Sequence, residues 1–318
     1  MANYLRIGRE QSYGVPATNL DTHVRILSES LKFQPGVEYL RTVEGGRFIT
    51  QADLSKAKTT GSIELYPVYD KGLGEFLYAA LGEVTTTQPD PNGNPTVYRH
   101  VFTPKGSVSS TPWPSYTIEV GLGDIAAKRV TGCVVNRLIL EGEAGDHLGV
   151  TAEILGGEET RVPLFTGPFN FSQQGYIHTA QVVEQKINDS PVKFEHFSLE
   201  LNNNFPEGYK FGSRFPQEID VAPLDVKGSA TIKFDSSAQL DRFLTSEECS
   251  IKLRFQGAVI SGSYRYELEI YLPRVIYEEG DVNLKGQDRL TQSLTFTALK
   301  HSTEGVVKIT LQNNQSGY

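Results

Sequence analysis

An alternation of apolar and charged residues runs through Tyr264-Arg265-Tyr266-Glu267-Leu268-Glu269-Ile270-Tyr271-Leu272. The even-numbered positions are apolar or aromatic, and most odd-numbered positions are charged. Because successive side chains of a β-strand point to opposite faces, this period of two predicts a strand with one buried and one solvated face. Leu290-Thr291-Gln292-Ser293-Leu294-Thr295-Phe296-Thr297-Ala298 has an apolar face and a threonine and serine face. Such strands are typical of antiparallel sheets.

The sequence around these strands resembles an earlier part of the same chain. The matched pairs are Gly61-Ser62 with Gly228-Ser229, Leu65 with Ile232, Leu73 with Leu240, Phe76-Leu77 with Phe243-Leu244, Ser30-Leu31 with Ser198-Leu199, and Arg137 to Glu141 with Arg274 to Glu278. The offset is 167 or 168 residues for all pairs but the last, which has an offset of 137. Matches that recur in the same order predict two copies of one structural unit.

Each copy has the same predicted order of elements. The first has strand Val24–Phe33, connection Gln34–Gln51, strand Ala57–Val68, helix Gly72–Leu81, and strands near Tyr116–Val120, Val130–Glu141 and Leu148–Leu155. The second has strand Val192–Leu201, connection Asn202–Arg214, strand Val226–Phe234, helix Ser236–Leu244, and strands near Ser250–Val259, Tyr264–Tyr277 and Leu290–Leu299. Both helices carry apolar residues at spacings of three and four. We predict a mainly β protein of two tandem β-sandwich or partial-barrel domains, each with one short α-helix.

The predicted domains are residues 1–160 and 191–318, joined by a linker over residues 161–190. The apolar patch Tyr176–Val183 in the linker predicts a strand, and so does Val306–Leu311. The first copy carries an extra Pro-rich insertion, residues 83–114, read as an exposed loop with a short strand near Tyr98–Phe102. Trp113 in this insertion is either an anchor for a partner or a residue folded back on its own domain.

Composition narrows the class of protein. The chain has 318 residues, 30 basic and 38 acidic, for a net charge of −8. The absence of a Lys/Arg-rich block argues against a protein that binds nucleic acid by neutralising phosphates. No apolar run approaches the roughly 20 residues of a membrane span, and Met1–Arg6 does not resemble a secretory signal, so we expect no membrane association and synthesis in a cytoplasm. Cys133 and Cys249 are predicted to be buried free thiols.

None of the catalytic motifs in the sequence fits the structural context that it requires. Gly121–Ala126 matches a dinucleotide-binding fingerprint, but a β-branched run follows where a helix is required, so a hairpin turn is favoured. Asp146-His147 is predicted to be a solvated turn, and Glu278-Glu279 are adjacent strand residues that point to opposite faces. The histidines are scattered: His23, His100, His147, His178, His196 and His301. We predict no catalytic residue, no cofactor, no metal site and no enzyme activity.

A short segment resembles a known family. Gly8-Arg9-Glu10-Gln11-Ser12-Tyr13-Gly14-Val15-Pro16, followed by Leu27-Ser28-Glu29-Ser30-Leu31, is similar to the opening of tail tube (major tail) proteins of long-tailed phages. That family often has a Gly-x-Glu-x-x-Tyr-Gly-x-Pro segment and then a Ser-Glu-Ser strand. Some of its members carry two tube domains in one chain, in agreement with the repeat.

The resemblance implies a structural virion protein located in the tail. Three chains would form a pseudo-hexameric ring, and rings would stack through residues 34–51 and 202–214 into a conduit for DNA. The implied partners are further copies of the chain, the tape measure protein, the tail terminator and the distal tail protein, and DNA would pass without specific binding. One alternative is a distal tail or tail-terminator protein of the same domain type. Another, from a different class, is a carbohydrate-binding β-sandwich protein.

Overall fold

The computed structural model describes residues 3–106, 112–282 and 290–318, so residues 107–111 of the Pro-rich insertion lie outside it. The first part of the chain forms β1 Leu5–Arg9, β2 Thr22–Val24, β3 Ser28–Glu29, β4 Lys32–Gln34, β5 Val37–Leu40, β6 Gln51–Leu54, β7 Lys58–Leu65, α1 Lys71–Leu81, β8 Gly82–Thr87, β9 Tyr98–Pro104, β10 Tyr116–Leu122, β11 Ala126–Glu143, β12 Gly149–Gly156 and β13 Glu159–Val162. The second forms β14 Val182–Ile187, β15 Ser190–Pro191, β16 Phe194–Asn202, β17 Glu207–Gly208, β18 Glu218–Ile219, β19 Asp225–Lys233, α2 Ala238–Thr245, β20 Cys249–Ser261, β21 Tyr264–Glu279, β22 Thr291–Ala298 and β23 Lys308–Asn313. The protein is mainly β, as predicted.

One antiparallel sheet, here called the central sheet, joins the two copies. Its strands follow the order β4, β7, β12, β11, β16, β19, β22, β21. This order is one four-strand unit repeated twice, because β16, β19, β22 and β21 pair as β4, β7, β12 and β11 do. The apolar alternation predicted for these strands packs one face of the sheet into the core, where Ile63, Leu140, Leu199 and Phe296 are almost fully buried.

Two long strands leave the central sheet and enter a second layer. The first half of β11 pairs with β10 and β13, and β10 continues to β1 and β2. The first half of β21 pairs with β20 and β23, and β20 continues to β14. Helix α1 lies in the core with Leu73, Phe76 and Leu77 buried. Each copy is therefore a pair of sheet layers with one helix, as the alternating pattern predicts.

The repeat survives in the structure, but one of its predicted equivalences is wrong. A register break occurs between Val135 and Arg137 of β11, where β11 pairs with β12. Another occurs between Tyr277 and Glu279 of β21, where β21 pairs with β22. These β-bulges correspond at an offset of 142 residues, so Arg137 is equivalent to Glu279 and not to Arg274. The match of Arg137 to Glu141 with Arg274 to Glu278 rests on three identities between alternating strands, and such a short chance match displaced the alignment by five residues.

Two predicted strands differ from the structure. Residues Thr179–Gln181 of the patch Tyr176–Val183 form a 3₁₀ turn, and the strand begins only at Val182, because the His178 imidazole accepts a hydrogen bond from the Ala180 N–H at 3.0 Å. The predicted strand Val24–Phe33 is interrupted. There the Glu29 carboxylate accepts a bond from the Leu31 N–H at 2.9 Å in place of the ladder.

The Pro-rich insertion forms structure that links the two copies. Strands β8 and β9 make a hairpin, and β9 pairs with β23 of the second copy over Tyr98 to Phe102. Tyr318, which follows β23, packs its ring beside His100 and Phe102 of the first copy. The short strand near Tyr98–Phe102 is confirmed, and the copies are joined on the outer layer as well as in the central sheet.

Asp70 caps the N-terminus of helix α1, and its side chain makes the stability of the protein depend on pH. Asp70 Oδ1 accepts a bond from the Leu73 N–H at 3.2 Å, and burial raises the pKa of Asp70 to about 6. Because the pKa is raised in the folded state, the protonated Asp70 side chain adds to the free energy of unfolding at low pH. This contribution is lost as the pH rises through about 6. Asp70→Asn keeps a good helix cap but cannot titrate.

We therefore expect the wild type to lose stability relative to Asp70→Asn, on the order of 1–3 kcal/mol, between about pH 4 and about pH 7. Urea unfolding of both proteins at the two pH values measures the difference. Asp220→Asn, at an exposed position, is the control and should leave the wild-type profile unchanged. Parallel profiles for the wild type and Asp70→Asn would contradict the titration of Asp70.

Candidate functional site

The junction between the two copies shows how this fold joins one unit to the next. Residues Arg137 to Glu143 of β11 pair with Asn202 to His196 of β16. On the core face Leu138 lies opposite Leu201, and both are buried. On the other face the Arg137 guanidinium donates to the carboxylates of Glu153 and Glu200, at 2.7 Å each. A backbone ladder, an apolar core and a shared cation therefore hold the junction.

Asn203 and Phe205 complete the junction just beyond β16. The Asn203 amide donates to the carbonyls of Ala80 and Val135, at 2.9 and 3.1 Å, and so satisfies the end of α1. The Phe205 ring meets the Trp113 ring edge to face at 4.8 Å. These contacts seal the apolar layer where the first copy ends.

Both outer ends of the central sheet carry a free strand edge. At one end, β3 and β4 pair with β7 alone, and between them the Leu31 N–H and carbonyl bond to the Glu29 carboxylate and the Lys128 ammonium; at the other, β21 beyond Val275 pairs with β22 alone, in the described parts of the chain. Open edges with unsatisfied backbone groups are sites for pairing with another chain. The two edges are the equivalents of β16 and β11, which pair with each other inside the molecule.

The face of the central sheet opposite the core is polar and of mixed charge. Its hydroxyls include Thr60, Ser62, Thr151, Ser198, Ser229, Thr231, Ser293 and Thr295; its acids include Glu64, Glu141, Glu153, Glu200 and Glu278; its bases include Lys32, Lys58, Arg137, Lys227 and Lys233. Arg137 is paired with Glu153 and Glu200, and His196 with Glu141. Ile139 and Ile276 also lie on this face, so it is largely hydrophilic and not predominantly basic.

Two arms leave the same rim of the central sheet. The first arm, residues 35–57, follows β4 and contains the hairpin of β5 and β6. The second arm, residues 203–224, follows β16 and contains the hairpin of β17 and β18. All of β5 and β6 is exposed, including apolar residues Val37, Tyr39, Leu40 and Leu54. The predicted connections 34–51 and 202–214 lie largely within these arms.

The residues examined for chemistry form no catalytic arrangement. Gly121–Ala126 is the turn between β10 and β11, as predicted. Cys133 and Cys249 are free and buried, and burial raises the pKa of both thiols. The structure brings His147 and His178 together, with ring centroids 5.1 Å apart, and leaves the other histidines dispersed. Among the described residues no cluster of three or more His, Cys, Asp or Glu side chains could hold a metal ion.

Two other candidate residues, Glu278 and Trp113, make contacts within the protein. Glu278 accepts a hydrogen bond from the Thr297 hydroxyl at 2.6 Å, beside the bulge that separates it from Glu279. Trp113 is folded back on the protein: its indole N–H donates to the Ala79 carbonyl at 2.9 Å, and its ring is buried. Of the two interpretations of Trp113, the folded-back one is confirmed and the exposed anchor is wrong.

Glu10 explains the Gly8–Pro16 segment in physical terms. Its buried carboxylate accepts bonds from the N–H groups of Gly14 and Gly132 and from the hydroxyls of Ser115 and Thr117, at 2.7–2.9 Å. Gly132 lies at the register break between β10 and β11, where β11 turns from one layer to the other. At Gly8, a Cβ would lie 2.1 Å from the Asn19 carbonyl oxygen. The Glu10 carboxylate thus ties the segment to β10 and β11.

The sequence model of phage tail tube proteins matches residues 2–298. The chain belongs to the phage tail tube protein family. This agrees with the resemblance of the Gly8–Pro16 segment, and it makes the chain a structural component of the virion tail that self-assembles into a tube. No curated protein matches the sequence. None of the helices within the described residues is long and apolar enough to cross a membrane.

Proposed function

We propose that this tail tube protein closes into trimeric, pseudo-hexameric rings that stack into the tail tube, a conduit for DNA, and that it has no enzymatic role. The chain is made in the host cytoplasm and divides at residues 160 and 190 into two tube domains and a linker. The observation that carries the proposal is the internal junction of β11 with β16. It is a template for joining β21 of one chain to β4 of the next.

The repeat gives the register of the intermolecular junction. Offsets of 142 residues from β11 to β21 and 168 from β16 to β4 convert the internal pairs into intermolecular ones. The pairs expected lie at and just beyond the end of β21: Glu279 with Gln34, Gly280 with Phe33, Asp281 with Lys32, and, once Leu31 releases the Glu29 and Lys128 side chains, Val282 with Leu31. This register would continue the central sheet from chain to chain, and three chains would present six equivalent units.

The side chains are complementary in that register. Val282 and Leu31 would extend the core face, as Leu140 and Leu199 do internally. Gly280 has no side chain, but Phe243 occupies the position that its Cβ would take, so Phe33 would meet an apolar surface there. Asp281 and Lys32 are both exposed and of opposite charge, and cross-strand pairs of opposite charge stabilise a sheet.

The polar face of the central sheet suits the wall of a conduit. In a closed ring this face would line the lumen, because the other face is filled by the core. Hydroxyls and paired charges give a surface that hydrates well, and a chain of net charge −8 does not attract a polyanion. These features support passage of DNA without specific binding.

The rim of the central sheet from which the arms leave supplies the axial contacts in this proposal. Both arms leave the sheet where its strands end, so they extend from the rim of a ring rather than from its edges. Tube elongation would use copies of the chain, while the tape measure protein would occupy the lumen during assembly. The tail terminator and distal tail protein would meet the two ends of the tube. A terminator role for this chain would instead stop at one ring, which negative-stain microscopy distinguishes.

A charge swap tests the register. Lys32→Glu places a carboxylate opposite Asp281, and we expect it to weaken each junction by about 1 kcal/mol. Because three junctions close a ring, the closure equilibrium should fall roughly a hundredfold, measured as the protein concentration at which rings or tubes appear by light scattering and negative-stain microscopy. Lys32→Glu combined with Asp281→Lys should restore assembly.

Lys227→Glu is the matched control, because Lys227 is an exposed base on the same polar face but lies on β19, which pairs on both sides within the chain. It makes the same change in net charge and should assemble as the wild type does. If the double variant assembles no better than Lys32→Glu, the register is wrong. A wild-type chain that stays monomeric at all concentrations would contradict the ring function itself.

A further inference from the structure

The two arms occupy equivalent places in the repeat but have different surroundings. In the first arm, Val37 and Tyr39 of β5 lie opposite Leu54 and Ala52 of β6 on one face of the hairpin. Val37, Tyr39 and Leu54 are 41%, 67% and 62% exposed. A lone two-stranded hairpin is marginally stable in water, so an apolar face of this kind needs both a support and a partner.

The second arm provides the support, because it folds back onto the base of the first. The Ala57 N–H donates to the Arg214 carbonyl at 2.8 Å, and the Tyr209 hydroxyl donates to the Ala57 carbonyl at 3.3 Å. Lys58 and Glu207 form an ion pair, and the rings of Phe33 and Phe215 lie 6.3 Å apart. The hydrogen bonds thus join the second arm to the base of the first, and the ion pair and the aromatic contact join it to the flanking strands β7 and β4.

Arg214 holds both legs of the first arm at once. Its Nε donates to the Ser55 carbonyl at 2.9 Å, and one terminal nitrogen donates to the Pro35 carbonyl at 2.6 Å. Pro35 precedes β5 and Ser55 follows β6, so one planar guanidinium spans the two strands of the hairpin where they leave the sheet. The base is also close-packed: a Cβ at Gly36 would lie 1.7 Å from the Lys56 carbonyl oxygen.

The second arm offers little surface of its own for a partner. Phe211 stands exposed at its turn, but its neighbours Lys210, Gly212 and Ser213 give it no apolar surroundings. A single exposed apolar residue is ordinary on a protein surface and does not make a contact patch. The first arm is therefore a braced hairpin with an exposed apolar face, and the second arm is the segment that braces it.

We propose that the first arm alone makes the contact between successive rings, with a second copy of this chain as its partner, and that the second arm is a brace that sets its direction. Contacts between rings are then three-fold, although each ring is pseudo-six-fold. This inference rests on the proposed tube function, since the occupant is a copy in the adjacent ring. It assigns Arg214 as a positioning residue for assembly.

Two sets of variants test the division of roles. Val37→Ser with Tyr39→Ser should leave single rings and shorten tubes at least tenfold in negative-stain images. Phe211→Ser, the matched loss of an exposed apolar side chain on the second arm, should give tubes of wild-type length. If Phe211→Ser shortens tubes as much as the first-arm variant does, or if the first-arm variant elongates normally, the proposal is overturned.

The brace has a readout in the unassembled chain. Arg214→Ala should speed amide hydrogen exchange at Ser55 and Ala57 at least tenfold and shorten tubes, while thermal unfolding stays cooperative. Arg214→Lys, which cannot span both legs, should give the same exchange phenotype, and Arg161→Ala should give none. Unchanged amide exchange in Arg214→Ala would show that Arg214 does not brace the first arm. Absence of both rings and tubes from the wild type would instead count against the tube function, so the two failures are distinguishable.

Discussion

Glu10→Ala is expected to lower the free energy of unfolding by about 4 kcal/mol. The substitution leaves the N–H groups of Gly14 and Gly132 and the hydroxyls of Ser115 and Thr117 without the acceptor they share. Buried donors without a partner carry the full cost of desolvation, and those bonded to a charged group cost most. Because Gly132 lies at the bulge where β11 changes layer, the loss falls on the strand that joins the two copies.

Urea unfolding followed by circular dichroism measures this effect. Gln11→Ala is the control, because Gln11 is exposed beside Glu10 and should change the free energy of unfolding by no more than about 0.5 kcal/mol. We also expect Glu10→Gln to be destabilised, since an amide nitrogen would meet donors where the second carboxylate oxygen now accepts. A Glu10→Ala protein as stable as the Gln11→Ala control would show that the carboxylate is not a structural centre.

Tyr318→Ala is expected to destabilise the protein by about 3 kcal/mol. The ring lies 4.6 Å from the His100 centroid and 5.4 Å from that of Phe102, and a Cβ on Gly74 would overlap it at 2.1 Å. Its hydroxyl accepts from the Asn313 amide at 2.8 Å and donates to the Asp70 carbonyl at 3.3 Å. Truncation would leave a cavity between α1 and the β9–β23 pair, where the outer layer joins the two copies.

Calorimetry distinguishes a local defect from a loss of coupling. We expect one transition for the wild type and a broadened or split transition for Tyr318→Ala, since the copies would then be joined chiefly by β11 and β16. Tyr318→Phe keeps the ring and should cost about 1 kcal/mol for the lost hydroxyl bonds. Equal stability of Tyr318→Ala and Tyr318→Phe would mean that the ring contributes no packing energy.

The sequence was informative wherever structure depended on local pattern. The alternation in Tyr264–Leu272 predicted the long strand β21, and the spacing of Leu73, Phe76 and Leu77 predicted α1. The Gly-Ser matches placed β7 and β19 in equivalent positions, which the pairing of each with its neighbours confirms. These features are set by side-chain period and therefore appear in a single chain.

The sequence does not predict contacts between residues that are far apart in the chain. The pairing of β9 with β23 joins segments about 200 residues apart, and nothing in either strand specifies the other. The brace of Arg214 on Pro35 and Ser55 depends on how the second arm folds back, which no periodicity encodes. A chance Arg-x-Ile-x-Glu match displaced the alignment of Arg137 by five residues, and the sequence shows Glu10 only as part of a family resemblance, without the four donors that its carboxylate binds.

Cysteine cross-linking between chains tests the central claim most directly. In assembled tubes of a Lys32→Cys, Asp281→Cys double variant, the proposed register places the two thiols on directly opposed residues of neighbouring chains, within reach of a disulfide. Oxidation should convert the protein into covalent trimers on a denaturing gel, while either single variant stays monomeric; the native Cys133 and Cys249 are buried. Tubes of the double variant that remain monomeric after oxidation, or that yield closed species other than trimers, would contradict ring closure through these edges.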